Sequence, residues 1–316
     1  MTKFKRADIG SVKTISIRKR KSKVSPSDFA RVFDGAKGSF ASFADSLPKV
    51  LVAEDLRTLV GDIVHARRKN KPVILMMGAH VIKVGLAPVL IDLIKRNIVT
   101  AVAMNSASAI HDVETAMWGQ TSEDVAENIL DGRFGMARET GEFINRALTD
   151  AFRDSDMGYG EALGRKLLAL DAPHAKVSLL ATCYSLNVPI TVHAAIGTDI
   201  VHQQPTMDGA ATGELSYRDF KTFAEVCKGL VGGGVVLNVG SAVIMPEVFL
   251  KALTVARNLG SRARGFTTAV FDMNVHYRPL MNVKLRPTQD GGRGLYFTGH
   301  HEIMVPLLAA MVKAGI

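Results

Sequence analysis

Short apolar runs alternate with amphipathic helical patterns from about residue 47 to the C-terminus, and this alternation constrains the fold most strongly. We interpret the apolar runs as buried strands at 73–77, 99–104, 188–192, 235–239, 267–271 and 294–297. Strands that alternate with helices favour parallel pairing, because each crossover returns the chain to the same edge of the sheet. The sequence therefore predicts an α/β fold with a parallel sheet and helices on both faces.

Helical patterns occupy most of the segments between these strands. We predict helices near 86–96, 108–118, 121–132, 174–186, 216–229 and 247–258, a helical stretch on through 172, and a C-terminal helix from about 300. The segments 195–215 and 272–292 are predicted to be a loop and a polar stretch.

The basic charge of the chain is concentrated at its start. Nine lysine and arginine residues lie within residues 1–23 against Asp8 alone, so this segment carries +8 of the formal net charge of +9. A run of this kind is usually solvated, and the nearly neutral remainder gives no reason to expect a nucleic-acid partner. We predict a basic flexible tail at 1–30 and a single α/β domain at 31–316, whose core the 47% hydrophobic content can fill.

Targeting signals and cysteine usage indicate a cytoplasmic protein. No apolar stretch reaches the roughly 18 residues of a membrane span, and no apolar segment follows the basic start as in a secretory signal. The two cysteines, Cys183 and Cys227, lie far apart in helix-like segments, which fits a reducing compartment better than a disulfide framework. We expect no membrane partner.

Small and polar residues follow nearly every predicted strand. In open α/β sheets, ligands bind beyond the carboxyl ends of the strands, where backbone N–H groups can approach a phosphate closely. The residues at these ends are Gly78, Ala79 and His80; Asn105, Ser106 and Ala107; Asp199; Gly240 and Ser241; Asp272; and Gly299 and His300. Together they favour a crevice for a dinucleotide, although a strict G-x-G-x-x-G pattern is missing.

Histidines gather at the same strand ends, and three interpretations stay open. Six of them lie at or just beyond a predicted strand end: His80, His111, His193, His202, His300 and His301. They could bind a metal ion, form hydrogen bonds to a ribose, phosphate or amine, or have a purely structural role. No H-E-x-x-H spacing occurs, so we predict no metal site.

Several long motifs resemble the deoxyhypusine synthase family, in particular its prokaryotic deoxyhypusine synthase-like branch. They are "GAHVIKVGLAPVLIDLIKRNIVTAVAMNSASAIHDVE", "TSEDVAENILDGRFGMARETGEFI", "GSAVIMPEVFLKAL" and "TGHHEIMVPLL", within a match over about 47–316. The resemblance implies a Rossmann-like NAD-binding fold. It also implies a homotetramer with NAD and the active sites at the subunit interface.

The chemistry that the resemblance implies is alkyl transfer between amines. NAD takes a hydride from spermidine beside its secondary amine, and the resulting imine loses diaminopropane. The four-carbon fragment passes to an acceptor amine, often through a lysine Schiff base, and the hydride then returns. A cationic substrate calls for carboxylates in a closed site, and a nucleophilic lysine needs a lowered pKa.

Carried over residue by residue, the resemblance gives a set of candidate site residues. The cofactor candidates are Ala79, His80, Lys83, Asn105, Ser106, Ala107, Gly240, Ser241, Asp272, Gly299 and His300. The substrate-binding candidates are Asp112, Asp199 and Glu247, and the catalytic candidates are Lys284 and His202.

Two departures from the family bear on specificity. Met245-Pro246-Glu247 stands where the family has a histidine, and Lys284 aligns with the catalytic lysine only through a gap, without the nearby tryptophan. We therefore expect an NAD-dependent aminobutyl (or guanidinobutyl) transferase acting on spermidine, putrescine or agmatine. Two alternatives are a true deoxyhypusine synthase that modifies a lysine of a translation factor, and a non-catalytic NAD-binding oligomer. A metal hydrolase using the histidines is a third.

Overall fold

The chain forms a parallel sheet in the order β3-β2-β1-β4-β5-β6. In this computed structural model, which describes residues 2–315, every strand pair of the six-stranded sheet is parallel. The strands are β1 (Val73–Met77), β2 (Ala101–Asn105), β3 (Ile190–His193), β4 (Val235–Val239), β5 (Thr267–Asp272) and β6 (Arg293–Thr298). This order is that of a doubly wound Rossmann-like fold, so the predicted fold class is confirmed.

Helices flank the sheet and connect its strands. Numbered along the chain, they are α1 (Phe40–Ser46), α2 (Leu51–Arg68), α3 (His80–Lys83), α4 (Ala87–Lys95), α5 (Ser106–Trp118), α6 (Val125–Asn128), α7 (Arg138–Asp154), α8 (Tyr159–Ala169), α9 (Leu179–Ser185), α10 (Gly209–Lys228), α11 (Ile244–Asn258), α12 (Tyr277–Pro279) and α13 (His301–Gly315). The strand order reverses between β1 and β4. Because crossovers between parallel strands are right-handed as a rule, the connections on either side of that point are expected to place helices on opposite faces.

The predicted elements agree with the structure wherever the apolar pattern is strong. β1 and β4 have the predicted bounds, and all five residues of each strand are buried. Runs that are apolar throughout are typical of parallel strands covered on both faces. One face of the sheet packs against α10 and α11 through large apolar side chains such as Phe223, Phe249 and Phe266. Burial of each such ring stabilises the fold by about 2–3 kcal/mol.

Several predicted segments differ from the structure. The helix predicted at 121–132 is limited to the four residues of α6. The helical stretch through residue 172 is divided into α7 and α8. The loop predicted at 195–215 ends earlier, because Asp208 accepts hydrogen bonds from the N–H groups of Ala210 and Ala211 and starts α10 at Gly209. The polar stretch 272–292 contains α12 followed by a π-helix, Leu280–Leu285.

The chain divides into two units, Met1–Glu54 and Asp55–Ile316. In the first unit, two backbone hydrogen bonds join the segment before α1 to the end of this helix and the residues after it. The Arg31 N–H donates to the Ser46 carbonyl (2.8 Å), and the Lys49 N–H donates to the Asp28 carbonyl (2.9 Å). The basic residues of this unit are exposed, and the predicted boundary at residue 30 stays a prediction.

Two further features concern the described part of the chain. Cys183 and Cys227 are both buried free thiols. No helix among residues 2–315 combines the length and the apolar character that crossing a bilayer requires.

Candidate functional site

The turns after β1 and β4 touch at the point where the strand order reverses. The Gly78 N–H donates to the Val239 carbonyl (3.0 Å), and a Cβ on Gly78 would overlap the carbonyl oxygen of Gly240 and lie 3.4 Å from Ser241 Cα. Gly240 itself has a φ of +64°, which favours glycine. The two turns therefore form a bare backbone surface where doubly wound folds bind their ligands.

Two histidines and a carboxylate border this backbone surface. His301 is buried, and its Nε2 donates to the Phe271 carbonyl (3.2 Å), whereas its Nδ1 has no hydrogen-bond partner among residues 2–315. The ring of His80 lies 5.5 Å from that of His301. Burial, together with His301, lowers the pKa of His80, so that the His80 ring is expected to be neutral near pH 7. Asp272 is buried at the end of β5, 3.5 Å from His276 Nε2.

A second cluster follows β2 and β3. The Ser106 hydroxyl at the start of α5 donates a hydrogen bond to Asp199 Oδ2. His202 Nδ1 accepts from the N–H groups of Gly197 (3.1 Å) and Asp199 (3.2 Å), so its proton lies on Nε2, 3.9 Å from Asp199 Oδ2. Burial raises the pKa of Asp199, whereas the Ser106 hydrogen bond and His202 oppose the rise. The fold thus brings three of the candidate residues together, namely Ser106, Asp199 and His202.

A cavity of about 260 Å³ opens beside this cluster. Its wall carries three carboxylates, Glu114, Glu123 and Asp199, together with Lys83 and His111. Apolar groups complete the lining, and a further open cavity of about 510 Å³ shares Glu114 and Glu123 with it. The two spaces form an acidic, elongated recess at the carboxyl edge of the sheet.

A hydrogen-bonded chain lies in the wall of this recess. The Thr121 hydroxyl donates to Glu114 Oε2 (2.5 Å) and lies 2.6 Å from His111 Nδ1. The Thr140 hydroxyl donates to Glu114 Oε1 (3.0 Å). Burial, with a smaller contribution from Lys83, lowers the pKa of His111 to about 4. The imidazole is therefore neutral at physiological pH.

The structure gives Asp112 a capping position outside the recess. Its oxygens accept hydrogen bonds from the Ser178 hydroxyl and from the N–H groups of Leu179 (2.8 Å) and Leu180 (3.2 Å), at the start of α9. Burial raises the pKa of Asp112 to about 6, against these hydrogen bonds, which lower it. Only 1% of the residue is exposed, so we do not include Asp112 in the substrate site.

Lys284 lies near the amino-terminal ends of β5 and β6, whereas the recess lies at the carboxyl ends of the strands. It belongs to the π-helix, where the neighbouring Val283 carbonyl accepts from the Thr268 hydroxyl (2.8 Å) near the start of β5. A Cβ on Gly294, near the start of β6, would lie 2.9 Å from Lys284 Cγ. The starts of β5 and β6, where Lys284 packs, are separated from the carboxyl ends of these strands by about four residues, or roughly 13 Å. The structure does not bring Lys284 to the recess.

Glu247 has no free carboxylate oxygen for a substrate. Oε2 pairs with Lys251, and Oε1 accepts from Asn282 (2.9 Å) and lies 3.4 Å from Arg278 Nε. The hydrogen bond from Lys251 is the main reason that the pKa of Glu247 is lowered. We therefore interpret Glu247 as a link between α11 and the segment after β5.

The remaining candidates occupy the carboxyl edge in different ways. Ala107 and Lys83 line the 260 Å³ cavity, whereas Asn105 caps α5 by accepting from the Ser108 N–H (3.0 Å). The Ser241 hydroxyl accepts from the Met245 N–H (3.2 Å), and His300 is exposed. Ala79 and Gly299 lie in the turns after β1 and β6.

Sequence reasoning did not select three groups that the fold brings to this edge. His301 and His111 were noted only as histidines near strand ends, and Glu114 was missed because its partners, Thr121 and Thr140, lie in other segments. The spacing of His111 and Glu114 on one helix face (i, i+3) was the available signal. Among residues 2–315, no group of three or more His, Cys, Asp or Glu side chains is arranged to hold a metal ion.

A larger cavity, of about 650 Å³, lies at the amino end of β3. Two of its four acidic groups are engaged: Glu214 pairs with Arg218 (2.9 Å), and Asp219 accepts from the N–H groups of Gly160 (2.9 Å) and Val192 (2.6 Å). We place the functional site at the carboxyl edge instead, because doubly wound folds bind ligands beyond the carboxyl ends of their strands, where the strand order reverses.

Comparison with known proteins identifies the class of fold. No protein-family model and no curated protein matches the chain. Among solved structures, AgrE in a ternary complex with ornithine and NAD⁺ has a TM-score of 0.54 and 14% identity over 83% of this chain. The chain spans about a third of AgrE, covering 33% of its length, and 31% of ArgZ, a cyanobacterial arginine dihydrolase (TM-score 0.51, 16% identity).

Two other solved structures match over more of their own length. One, from Entamoeba histolytica, carries a provisional deoxyhypusine synthase assignment (TM-score 0.53, 13% identity), and 90% of this chain covers 96% of it. The other, from Methanococcus maripaludis S2, is provisionally assigned as an LOR/SDH protein (TM-score 0.51, 12% identity, 89% of this chain and 71% of that one). These likenesses confirm a Rossmann-like fold shared with NAD-binding proteins, whereas membership of the deoxyhypusine synthase family and of its branch stays a prediction.

Proposed function

We propose that this protein is an NAD-dependent enzyme that transfers an aminobutyl or guanidinobutyl group between amines. The observation that carries the proposal is the adjacency of two features at one edge of the sheet. The bare backbone turns at Gly78 and Gly240 suit a dinucleotide, and the recess with Glu114, Glu123 and Asp199 suits a cationic amine.

The residues at the β1/β4 turns fit NAD on structural grounds. The Gly240 carbonyl oxygen fills the space beside Gly78, so the two turns pack without a side chain between them, and the pyrophosphate is proposed to lie against the edge that they form. His301 Nδ1 is a buried acceptor without a partner among residues 2–315, and a ribose hydroxyl or a carboxamide N–H could satisfy it only if the neighbouring turn moved aside. His80 and Lys83 follow directly on the first turn. When bound, NAD would accept a hydride from the carbon beside a substrate amine and later return it.

The recess provides the charge that an amine substrate needs. Asp199 is held in place by Ser106, and Glu114 by Thr121 and Thr140, so both carboxylates are oriented before a ligand binds. A protonated amine that pairs with a half-buried carboxylate gains more than it would in bulk water. The extension past Glu114 and Glu123 suits a linear polycation such as spermidine.

The position of Lys284 favours direct transfer between small amines. A Schiff-base lysine must reach the reacting carbon, and Lys284 lies near the opposite edge of the sheet. An imine in the recess can instead be attacked by the acceptor amine itself, so no covalent enzyme intermediate is needed. This favours a small-molecule acceptor over a protein lysine.

A second candidate function follows from Lys83. A polyamine carries no negative charge, yet a lysine lines the cavity beside the three carboxylates. An amino acid with a side-chain amine has a carboxylate for Lys83 and a cation for Asp199. Since AgrE was solved with ornithine and NAD⁺, we include NAD-dependent conversion of ornithine as the alternative.

Assembly of copies around the recess is part of the proposal. The segment that lines the cavity through Val125 and Phe134 also exposes the apolar side chains of Ile129, Leu130 and Met136. Exposed apolar groups beside a ligand site are typical of an interface. We propose that a second copy covers them, in line with a homotetramer that has its sites between subunits.

The proposal is tested by product analysis with purified full-length protein. We expect catalytic amounts of NAD to support conversion of spermidine, putrescine or agmatine mixtures into a larger amine, detected by mass spectrometry. Formation of a product from ornithine alone would select the second candidate. Bound NAD without turnover of any of these amines would support a non-catalytic NAD-binding protein and contradict the proposal.

A matched pair of variants separates substrate binding from folding. Asp199→Asn keeps the shape of a side chain in the recess but removes its charge, and Glu161→Gln removes a charge at the amino-edge cavity. We expect the first variant to lose turnover and the second to retain it, at equal NAD affinity. Equal turnover of both variants would contradict the placement of the amine.

A further inference from the structure

The hydrogen bonds that join Glu114, Thr121 and His111 determine which imidazole nitrogen of His111 carries the hydrogen. A threonine hydroxyl carries one hydrogen, and the Thr121 hydroxyl donates it to Glu114 Oε2 (2.5 Å). Thr121 can therefore only accept from His111 Nδ1, at 2.6 Å. It follows that the neutral ring carries its hydrogen on Nδ1 and its lone pair on Nε2.

The lone pair on His111 Nε2 is available to a ligand. Nε2 has no hydrogen-bond partner among the described residues, and unlike His202 Nε2 it is not sealed from solvent. His111 itself lines the 260 Å³ cavity. An acceptor that is oriented by its neighbours and faces an open cavity is suited to a ligand N–H.

Burial and the charged groups around His111 together set its protonation state. Lys83 on α3 opposes a positive ring, whereas Glu114 on the same helix, Glu123 before α6 and Asp199 after β3 face the cavity as carboxylates. Burial is the largest influence and, with Lys83, lowers the pKa of His111 to about 4. A neutral ring can accept a hydrogen bond, whereas a protonated ring would donate one and repel a cation.

We propose that His111 is a substrate-binding residue whose Nε2 accepts a hydrogen bond from an N–H of the substrate amine, and that Thr121 and Glu114 are positioning residues that hold its tautomer. This inference rests on the proposed function, because it takes an amine as the ligand. The carboxylates attract any cation, but the neutral acceptor requires an N–H in a defined direction. His111 would thus orient the amine group.

The tautomer is tested first, by ¹⁵N NMR of the imidazole in the full-length protein between pH 5.5 and 8. We expect hydrogen on Nδ1 and a bare Nε2 in the wild type, and the same in Thr121→Ser, which keeps the hydroxyl. Thr121→Val removes the hydroxyl at similar volume and should give a mixture of tautomers. A wild-type ring with hydrogen on Nε2, or one that is protonated at pH 6, would overturn the inference.

Binding is tested by calorimetric titration with putrescine, spermidine, agmatine and L-ornithine in turn, in the presence of NAD. We expect His111→Phe to weaken the binding of the amine about tenfold or more, as for loss of a hydrogen bond to a charged group. NAD affinity should not change, and Thr121→Val should give a smaller loss that Thr121→Ser does not show. Should His111→Phe fold poorly, His111→Gln serves, with the loss expected to be smaller because an amide oxygen can still accept.

The outcomes separate this inference from the proposed function. If the wild type binds none of the four amines, the proposed function fails and the role of His111 fails with it. If the wild type binds an amine and His111→Phe binds it equally well, the role of His111 alone is wrong.

Discussion

Gly78 and Gly240 lie so close that a methyl group on Gly78 would overlap the carbonyl oxygen of Gly240. The two residues end neighbouring parallel strands, β1 and β4, and their turns form the floor of the proposed NAD site. The approach leaves no room for a side chain, so both the packing of the turns and the ligand surface depend on glycine.

We expect Gly78→Ala to destabilise the protein by about 3 kcal/mol, because the added carbon meets backbone atoms that cannot move aside easily. NAD affinity should fall as well, since the turn must shift. Thermal unfolding with and without NAD measures both effects. Gly213→Ala is the control: no atom lies within 4 Å of the added carbon on α10, so stability should be unchanged or slightly higher.

Asp112 and Asp199 should respond in opposite ways to the same substitution. Asp112→Asn should lower stability by about 1–3 kcal/mol, because Asp112 accepts three hydrogen bonds at the start of α9, but should leave the affinity for amines intact. Asp199→Asn should lower amine affinity at least about tenfold with little change in stability. Urea unfolding and amine titration on both variants measure the two effects. Loss of amine binding in a stable Asp112→Asn protein would restore Asp112 to the substrate site.

The contribution of Asp219 to the stability of the protein should decrease as the pH rises. Burial raises the pKa of Asp219 to about 8, against hydrogen bonds from Val192 and Gly160 that lower it. Because the pKa of Asp219 is raised in the folded state, the contribution of this carboxyl group to the free energy of unfolding is complete below about pH 4 and is lost as the pH rises through 8. The loss amounts to at most about 1.4 kcal/mol per pH unit.

Urea unfolding of the wild type and Asp219→Asn between pH 6.5 and 8 tests this dependence. The range lies above the pKa of Asp112, which is raised to about 6 and acts in the same direction at lower pH. The variant should lose less stability than the wild type across this range. If the stability of the two proteins changed equally with pH, Asp219 would be ionised in the native state over the whole range from pH 6.5 to 8, which would contradict the prediction.

Lys284 should be dispensable for chemistry. Because it packs against the start of β6, we expect Lys284→Met to retain NAD binding and amine turnover within about twofold. Borohydride reduction during turnover, followed by peptide mass spectrometry, should give no alkyl adduct on Lys284. An adduct at that position would require a rearrangement of the π-helix and would contradict direct transfer.

The sequence predicted the sheet well because its signals are local. Continuous apolar runs gave β1 and β4 their bounds, and the residues after them fell at the carboxyl edge as parallel pairing requires. The prediction failed at the start of α10. Asp208-Gly209 was interpreted as part of a loop, whereas the side chain of Asp208 caps this helix.

The site was harder to predict because its contacts join distant segments. Asp112 matched a motif, but only the fold shows that α9 covers it. The role of Lys284 depended on an alignment gap, and only the topology shows at which edge it lies. The linkage of His111 to Glu114 needs Thr121, seven residues beyond Glu114 and on another segment, which no periodicity reveals.

A crystal structure of the protein grown with NAD tests the central claim most directly. We predict the pyrophosphate over the turns at Gly78 and Gly240, a ligand donor at His301 Nδ1, and the nicotinamide facing the recess with Asp199 and His111. NAD bound elsewhere, such as at the 650 Å³ cavity beside Asp219, or a nicotinamide directed away from the recess, would contradict the account.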